Sequence, residues 1–378
     1  VDARDNRELW GARYERRLEN MLDVQEEISQ EVSDNLRNWM TGAQKEALTK
    51  HYPANSEAYQ LYLQGRYHWS KRAPQEIYKG IEYFQQAIGK DPNYALAYAG
   101  LADCYLSLGS APFGPLEPRQ SMPQAKAAAL KALELDGTVA EAHNSLAYLH
   151  LVYDLDLRAA DREFKRAIEL NPNYALAHQW RGLYYTAIGH MDQAIAEITR
   201  ARELDPLNPV VYTAMAQAYC FDGQNDACIE QARKALELDP DFALAHFNVG
   251  RGFEQKQMYD EAIAEFQQGG PLIQQSPAIV AALGYTYAAA GQRREALQKL
   301  AQLQTLSKQV YVPALYTAAL YTALGDRDNA FAYLEKAYEE KSEYLVFLNM
   351  DPVINNLRSD PRYNRFLQRI GILDAVRK

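Results

Sequence analysis

Between Asn173 and Pro240 two segments of 34 residues follow one another without a gap and agree place by place. Asp205-Pro206 recurs as Asp239-Pro240, Gly182 as Ala216, Ala194 as Cys228, Ala201 as Ala235 and Tyr185 as Tyr219. A repeat of this length constrains the fold strongly, because a unit this short cannot bury its own apolar face and must stack on its neighbours. The small residues mark where the two helices of a unit cross and their backbones approach. Tyr185, Phe164 and Phe266 are bulky partners that fill the space between one unit and the next. Gly189, Gly223, Gly291 and Gly325 stand at the turn after the first helix, where a left-handed residue is the usual stop, and the later Pro stops the second helix.

The same frame extends to eight units between about Asn55 and Ser342. The first carries Gly65, Phe84, Ala87 and Asp91-Pro92; the second carries Ala102, Tyr105 and Gly109, resumes at Ala125 and ends at Asp136-Gly137; the third carries Ala147, Ala160, Phe164 and Asn171-Pro172. Beyond the two gapless units, the sixth runs through Gly250 and Phe266, the seventh through Gly284 and Ala296, and the eighth through Ala318 and Ala337. Asp91 and Asn171 are 80 residues apart where two units would place them 68 apart, so twelve residues are inserted, eleven between Gly109 and Pro123 and one near Asp154. The insertion at 110–122 holds Pro112, Gly114, Pro115 and Pro118, which predicts a projecting loop with at most one short turn, either a tolerated surface insertion or a lid or partner-contact loop. Gly269-Gly270-Pro271 predicts a change in helix length or a bend.

Outside the units the pattern changes. Leu22, Val24, Ile28, Val32, Leu36 and Met40 draw one helical stripe that ends at Thr41-Gly42, and Thr41 and Gln44 in capping-box spacing open a shorter helix that Pro53 stops. Residues 23–53 are therefore expected to be connecting helices over the first unit. After Ser342 the period lapses, and 343–378, with its amphipathic stretch Pro361 to Ile370, is expected to cap the stack.

A 34-residue period with a small residue at the eighth place, an aromatic at the eleventh, Ala at the twentieth and Pro at the thirty-second resembles the tetratricopeptide repeat (TPR). The resemblance implies an all-α fold, a right-handed TPR superhelix or α-solenoid of about eight helix-turn-helix units, with N-terminal helices and a C-terminal capping helix. It also implies a non-catalytic scaffold whose first helices line a concave groove for a protein or peptide ligand. One subclass clamps a chaperone tail with Lys, Asn and Arg at set groove places; here the fifth and ninth places hold Asn144 and Tyr148 in the third unit and Gln179 and Leu183 in the fourth, which do not match.

The wider layout, with Asp23-Val24-Gln25-Glu26, the run Tyr59 to Tyr67, the run Asp91 to Ala102 and Leu357-Arg358-Ser359-Asp360-Pro361-Arg362, is similar to the C-terminal halves of bacterial Ser/Thr protein kinases, class III adenylate cyclases and winged-helix regulators. Trp10-Gly11-Ala12-Arg13-Tyr14 resembles the tail of the small α/β module found upstream of such arrays, so 1–22 is expected to be its remnant. This resemblance implies the sensor or docking arm of a larger bacterial signalling protein, or alternatively a module that dimerises that parent. A kinase or cyclase domain of the parent would lie upstream.

Composition excludes several other functions. A formal net charge of −9 with interspersed signs repels a phosphate backbone, so nucleic acid is not an expected partner. No apolar run approaches the length of a membrane span, so the segment is expected to be soluble, and cytoplasmic unless the parent is tethered. The phosphate-loop, zinc-protease and nucleophile-elbow patterns are absent, so no catalytic, cofactor or metal site is expected. Cys104, Cys220 and Cys228 lack disulfide-framework or zinc spacing and are expected as reduced, buried thiols. His143, His178 and His246 share the fourth place of three units, where packing or hydrogen bonding is expected over metal binding. The 27 tyrosines fall mostly on repeat places and are expected to pack within and between units. The second, fifth, ninth and twelfth places of each unit form one stripe, and Tyr62, Arg66, Tyr148, Leu151, Leu176, Leu183, Phe247 and Arg251 are its candidate peptide-binding residues. A stripe this apolar needs a cover, either a ligand held by aromatic anchors with Arg66 and Arg251 on acidic or carbonyl groups, or facing repeats of a tight superhelix.

Overall fold

A computed structural model of the protein describes residues 55–110, 114–268 and 276–372. The expected module remnant at 1–22, the connecting helices at 23–53 and the Gly269-Gly270-Pro271 break lie outside the described residues. Among the described residues every regular element is helical. Sixteen helices form eight consecutive pairs: α1 (Ser56–Ser70) and α2 (Pro74–Lys90), α3 (Ala95–Gly109) and α4 (Pro118–Leu135), α5 (Ala140–Leu149) and α6 (Leu157–Leu170), α7 (Ala175–Ala187) and α8 (Met191–Leu204), α9 (Pro209–Phe221) and α10 (Asn225–Leu238), α11 (Ala243–Gln255) and α12 (Tyr259–Phe266), α13 (Pro277–Ala289) and α14 (Arg293–Leu306), α15 (Ala314–Ala323) and α16 (Arg327–Glu339). Each packs mainly on its partner and on the adjoining pair, as a solenoid requires.

The repeated end-marks have a local cause. The amides of Asp91, Asp136, Asn171, Asp205 and Asp239 bond back to Ala87, Ala132, Ala167, Ala201 and Ala235 at 2.9 to 3.0 Å, closing the second helix. The side chains of Asp91, Asp136, Asn171 and Asp239 then accept the amide two residues on, which starts the turn into the next unit. In seven of the eight units the first helix ends on a left-handed residue. Gly189, Gly223, Gly291 and Gly325 take φ of 75–79° there, while Arg72, Leu155 and Gln257 occupy the corresponding turns at 56–61° without glycine's freedom. The extra residue of the third unit is absorbed as a π-helical turn, His150–Asp154, just before Leu155.

Close approach explains the small residues of the first two units. A Cβ on Gly65 would stand 2.7 Å from the Phe84 ring and one on Gly100 would stand 2.4 Å from it, so Phe84 is clamped between two bare backbones.

The insertion departs from the expected loop. Its later part is helical, because α4 begins at Pro118, at a position where the missing amide is harmless, and continues through Pro123. Gly109 leaves space for Ser121 against the end of α3, which holds these added turns in place. Pro115, Glu117 and Gln120 line a cleft with Val310, Tyr311 and Val312, so the superhelix brings the second unit back beside the junction of the seventh and eighth.

After α16, Lys341 takes φ 61° and the chain turns inward. Two 3-10 turns, Glu343–Phe347 and Pro352–Leu357, run along the concave side, and α17 (Pro361–Arg369) lays Tyr363, Phe366 and Leu367 into a cluster with Phe331, Leu334 and Ala337 of the last unit. The final apolar face is thereby covered.

Candidate binding site on the concave face

The middle of the predicted stripe is buried by the protein's own C-terminal segment. Tyr148 and Arg251 are 8% and 9% exposed and Leu151 is fully buried. The Tyr148 hydroxyl donates to Glu343, and its ring lies 4.4 Å from Trp180. Gln217 donates to the Tyr344 hydroxyl at 3.4 Å, and Phe347 stands 5.7 Å from Phe221. Arg251 does hold acids, as its type suggests, but they are internal: Glu254 at 2.9 Å and Asp351 at 2.8 Å. The expectation that Tyr148, Leu151 and Arg251 face an open groove is therefore corrected in favour of self-coverage.

Leu176 and Leu183 are half-buried, packed respectively against the cluster around Trp69 and the cluster around Ile198. Phe247 is half-buried beside Phe266. With Gln217, Tyr285 and Tyr344 it borders a remaining space of about 90 Å³.

Burial governs the electrostatics of this interior. It pushes Glu254 above the ordinary carboxylate range, with Arg251 and Thr286 opposing. It works against the charge of Arg251, where Glu254 and Asp351 outweigh it and hold the guanidinium protonated. Burial and the neighbouring Glu343 both raise Tyr148.

Magnitude decides whether this segment is a displaceable ligand or part of the fold. Leu345, Val346, Phe347 and Leu348 are all 4% exposed or less. At about 1.5–3 kcal/mol each, the four contribute about 6–12 kcal/mol, comparable to the whole stability of an ordinary domain. The segment is structural.

The N-terminal end of the stripe is built differently. Tyr62 and Arg66 are half-buried, and the Arg66 side chain retains 27% of its exposure. Tyr62 lies 5.8 Å from Phe84 and 5.3 Å from Tyr94, ring to ring. Arg66 donates to Asp103 Oδ2 at 2.9 Å, and Ser145 donates to Asp103 Oδ1 at 2.7 Å. The Trp69 indole N–H donates to the Asp103 carbonyl at 3.2 Å and to Ser107 at 3.0 Å, which fixes the ring. Two guanidiniums lie over that ring, Arg66 at 4.4 Å and Arg72 at 3.8 Å.

Among the described residues Arg72, unlike Arg66, has no carboxylate within ion-pair distance. Its hydrogen bond is a long one, 3.4 Å to Ser107 Oγ. Burial pushes its pKa down to about 10; Arg66 adds to the effect and Asp103 opposes it. Burial also works against Arg66, but Tyr62 and Asp103 outweigh it and raise its pKa. Asp103 itself is raised by burial, against the pull of Arg66 and Ser145. Sequence reasoning missed Trp69, Arg72 and Asp103. The signal was present for Asp103: the ninth places of adjacent units hold Arg66 and Asp103, opposite charges in register.

The three repeated histidines are staples. Their Nδ1 atoms lie 2.6, 2.6 and 2.9 Å from Glu163, Glu197 and Glu265, and their Nε2 atoms 3.2, 3.0 and 3.1 Å from the carbonyls of Gly137, Pro172 and Pro240. In the fifth unit the Tyr212 hydroxyl donates to the equivalent carbonyl of Pro206 at 3.1 Å. Each of these side chains ties a first helix to the preceding turn, and each histidine also reaches its own second helix. The cysteines need a correction. Cys220 and Cys228 form a disulfide, because the helix crossing of the fifth unit brings their Cα atoms to 5.2 Å, while Cys104 is free and buried.

Family models described as tetratricopeptide repeat match residues 150–209, 213–271 and 318–344, and the described residues of these stretches fold here as successive helices. The chain is a tetratricopeptide-repeat protein. The TPR array is similar to part of the transcriptional regulator HilA of Salmonella typhimurium, 27% identical over 138 residues, covering 36% of this chain and 24% of that protein. It is also similar to part of the putative adenylate cyclase 3 of Rhizobium meliloti, 26% identical over 147 residues, covering 39% and 25%. The matched stretch thus spans about a quarter of the length of either relative. Among solved structures, the human IFIT1 dimer with PPP-AAAA has a TM-score of 0.52 at 14% identity, covering 71% of this chain and 70% of that one. The APC/C hetero-tetramer Cut9-Hcn1 has a TM-score of 0.51 at 16% identity, covering 68% and 47%. At such identities the likeness is one of fold alone. Among the described residues no helix is long and apolar enough to cross a membrane.

Proposed function

We propose that this TPR array is a non-catalytic scaffold that binds a protein or peptide ligand at the N-terminal end of its concave face, as the sensor or docking arm of a larger bacterial signalling protein. The observation that carries this reading is the contrast between the two ends of the stripe. In the middle of the stripe Tyr148, Leu151 and Arg251 are buried under 343–357, whereas Tyr62 and Arg66 remain partly exposed beside the buried Trp69. A partly exposed tyrosine next to a guanidinium held by Asp103 is the composition of an interface anchor. The similarity to parts of a transcriptional regulator and a putative adenylate cyclase supports a parent with a separate effector domain.

The test is photo-cross-linking in cells of the source organism from a benzophenone residue placed at Tyr62, followed by calorimetry with the purified cross-linked protein. A different protein that binds with one-to-one stoichiometry is expected. A cross-link only to a second copy, with light scattering reporting a dimer, would replace the docking reading by the oligomerisation alternative.

A further inference from the structure

We infer that the space left between the concave face and the C-terminal segment is a binding site for a small uncharged organic molecule, an alcohol or ketone of about four to six heavy atoms. Neither Tyr62 nor Arg66 lines it, so it is separate from the surface proposed for a protein partner, and either stands without the other. The space has a cause in the sequence. At the fifth place of the repeat the sixth unit carries Phe247 and the seventh Ala281; at the ninth the seventh carries Tyr285 and the eighth Ala319. The wall formed by Ala278, Ala281, Ala282 and Ala319 therefore stops at methyl groups, and Tyr344, Leu348 and Ile354 of the covering segment border the gap without filling it. Its volume of about 90 Å³ compares with about 150 Å³ for an engineered apolar cavity that takes up benzene, which sets the size of the occupant.

Charge sets the class of ligand. Among the described residues only two charged side chains border the space, Arg251 and Asp351, and they hold each other at 2.8 Å. An ion entering there would leave water without finding a free counter-charge, a cost that an uncharged molecule does not meet. Hydrogen bonding adds a second, independent observation. Tyr316 is part of the wall, and its hydroxyl is shut off from solvent without a hydrogen-bond partner. Tyr344 stands close enough to interact with it, and the Tyr344 hydroxyl accepts from Gln217 at 3.4 Å. A buried hydroxyl left unpaired is unfavourable, and a ligand oxygen within its reach supplies the acceptor it lacks. An apolar wall with a few polar atoms to fix orientation is the composition of a small-molecule site. Because the occupant touches the repeats and the covering segment together, binding favours the docked segment.

The experiment uses the full chain with ¹³C-labelled alanine methyl groups, the resonances of Ala281 and Ala319 being assigned by Ala281→Ser and Ala319→Ser. Titrants are butan-2-one and butan-2-ol, xenon as an apolar probe without an acceptor, and tetramethylammonium chloride and sodium acetate as charged probes. Saturable shifts of both methyl resonances with the ketone or the alcohol are expected, and neither salt should produce more than sodium chloride does. Ala281→Leu, which puts a side chain into the space, should abolish the response read at Ala319. If that variant melts early, Ala319→Leu read at Ala281 takes its place. Tyr316→Phe should weaken ketone binding at least fivefold and leave xenon uptake unchanged. At ten times its dissociation constant the ketone should raise hydrogen-exchange protection of the Met350 and Asp351 amides, which bond to Phe347, about elevenfold. No saturation by any uncharged probe, tighter binding of either salt, binding that survives the leucine variants, or unchanged protection at saturation would each overturn the site. Xenon uptake without ketone or alcohol binding, or ketone binding indifferent to Tyr316→Phe, would overturn the class of ligand assigned to it.

Discussion

Replacing Phe347 by Ala tests whether the concave face is an interior. Phe347 is 4% exposed, 5.7 Å from the Phe221 ring and 5.6 Å from that of Tyr344, and clustered with Val346, Tyr148 and Trp180. Truncating a buried Phe to Ala removes about 3–5 kcal/mol. That is a large part of the roughly 6–12 kcal/mol assigned to burial of residues 345–348. The loss should fall on the docked segment first, because a repeat array opens by parts and not as one unit. Native-state hydrogen exchange reads this directly at Met350 and Asp351, whose amides bond to the Phe347 carbonyl at 2.8 and 3.0 Å. With about 1.4 kcal/mol per tenfold, their protection should drop by about a hundredfold to a few thousandfold. Leu207→Ala, at a site 77% exposed, is the control and should leave both amides unchanged. If Phe347→Ala lowers protection by less than tenfold, the segment is not docked as described and the concave face is open to ligand along its whole length.

Two further predictions concern the repeat frame and the cap. Gly182→Leu should destabilise by about 1–3 kcal/mol through overpacking, since even a Cβ there would stand 2.4 Å from Ile198 Cγ1 and 3.1 Å from the Ala194 carbonyl. Gly89→Ala, with open space around it, should instead gain up to about 1 kcal/mol of helix propensity; melting curves that rank the two variants the other way would refute the crossing. Asp360 is held at about 2 by its hydrogen bonds with the Arg362 side chain and amide. A depressed carboxylate stabilises the fold above its unfolded pKa, about 3.9, and that contribution is lost as pH falls toward 2. Urea midpoints of Asp360→Asn should therefore change less than those of the parent between pH 4 and 2, and identical slopes would refute the assignment.

The sequence alone determined the features that repeat. The helix pairs, the small residues at their crossings and the Asp-Pro and Asn-Pro end-marks are each set within one unit or between neighbours, so a 34-residue period displays them directly. The histidine staples are legible for the same reason, since His178 and Glu197 are only 19 residues apart and the spacing returns in His246 and Glu265. Periodicity is silent about contacts that occur once. Tyr148 meets Glu343 across 195 positions and Arg251 meets Asp351 across 100. Both contacts exist because the superhelix curves enough to bring its own end back to the concave face. That curvature turned Tyr148, Leu151 and Arg251 from a predicted ligand surface into buried packing. Tertiary structure likewise decided that Cys220 and Cys228 meet, that the added turns of α4 lie against Gly109, and that Arg72 stacks on Trp69. In each case the deciding quantity is a distance between elements, which depends on how the whole array bends and not on any single unit.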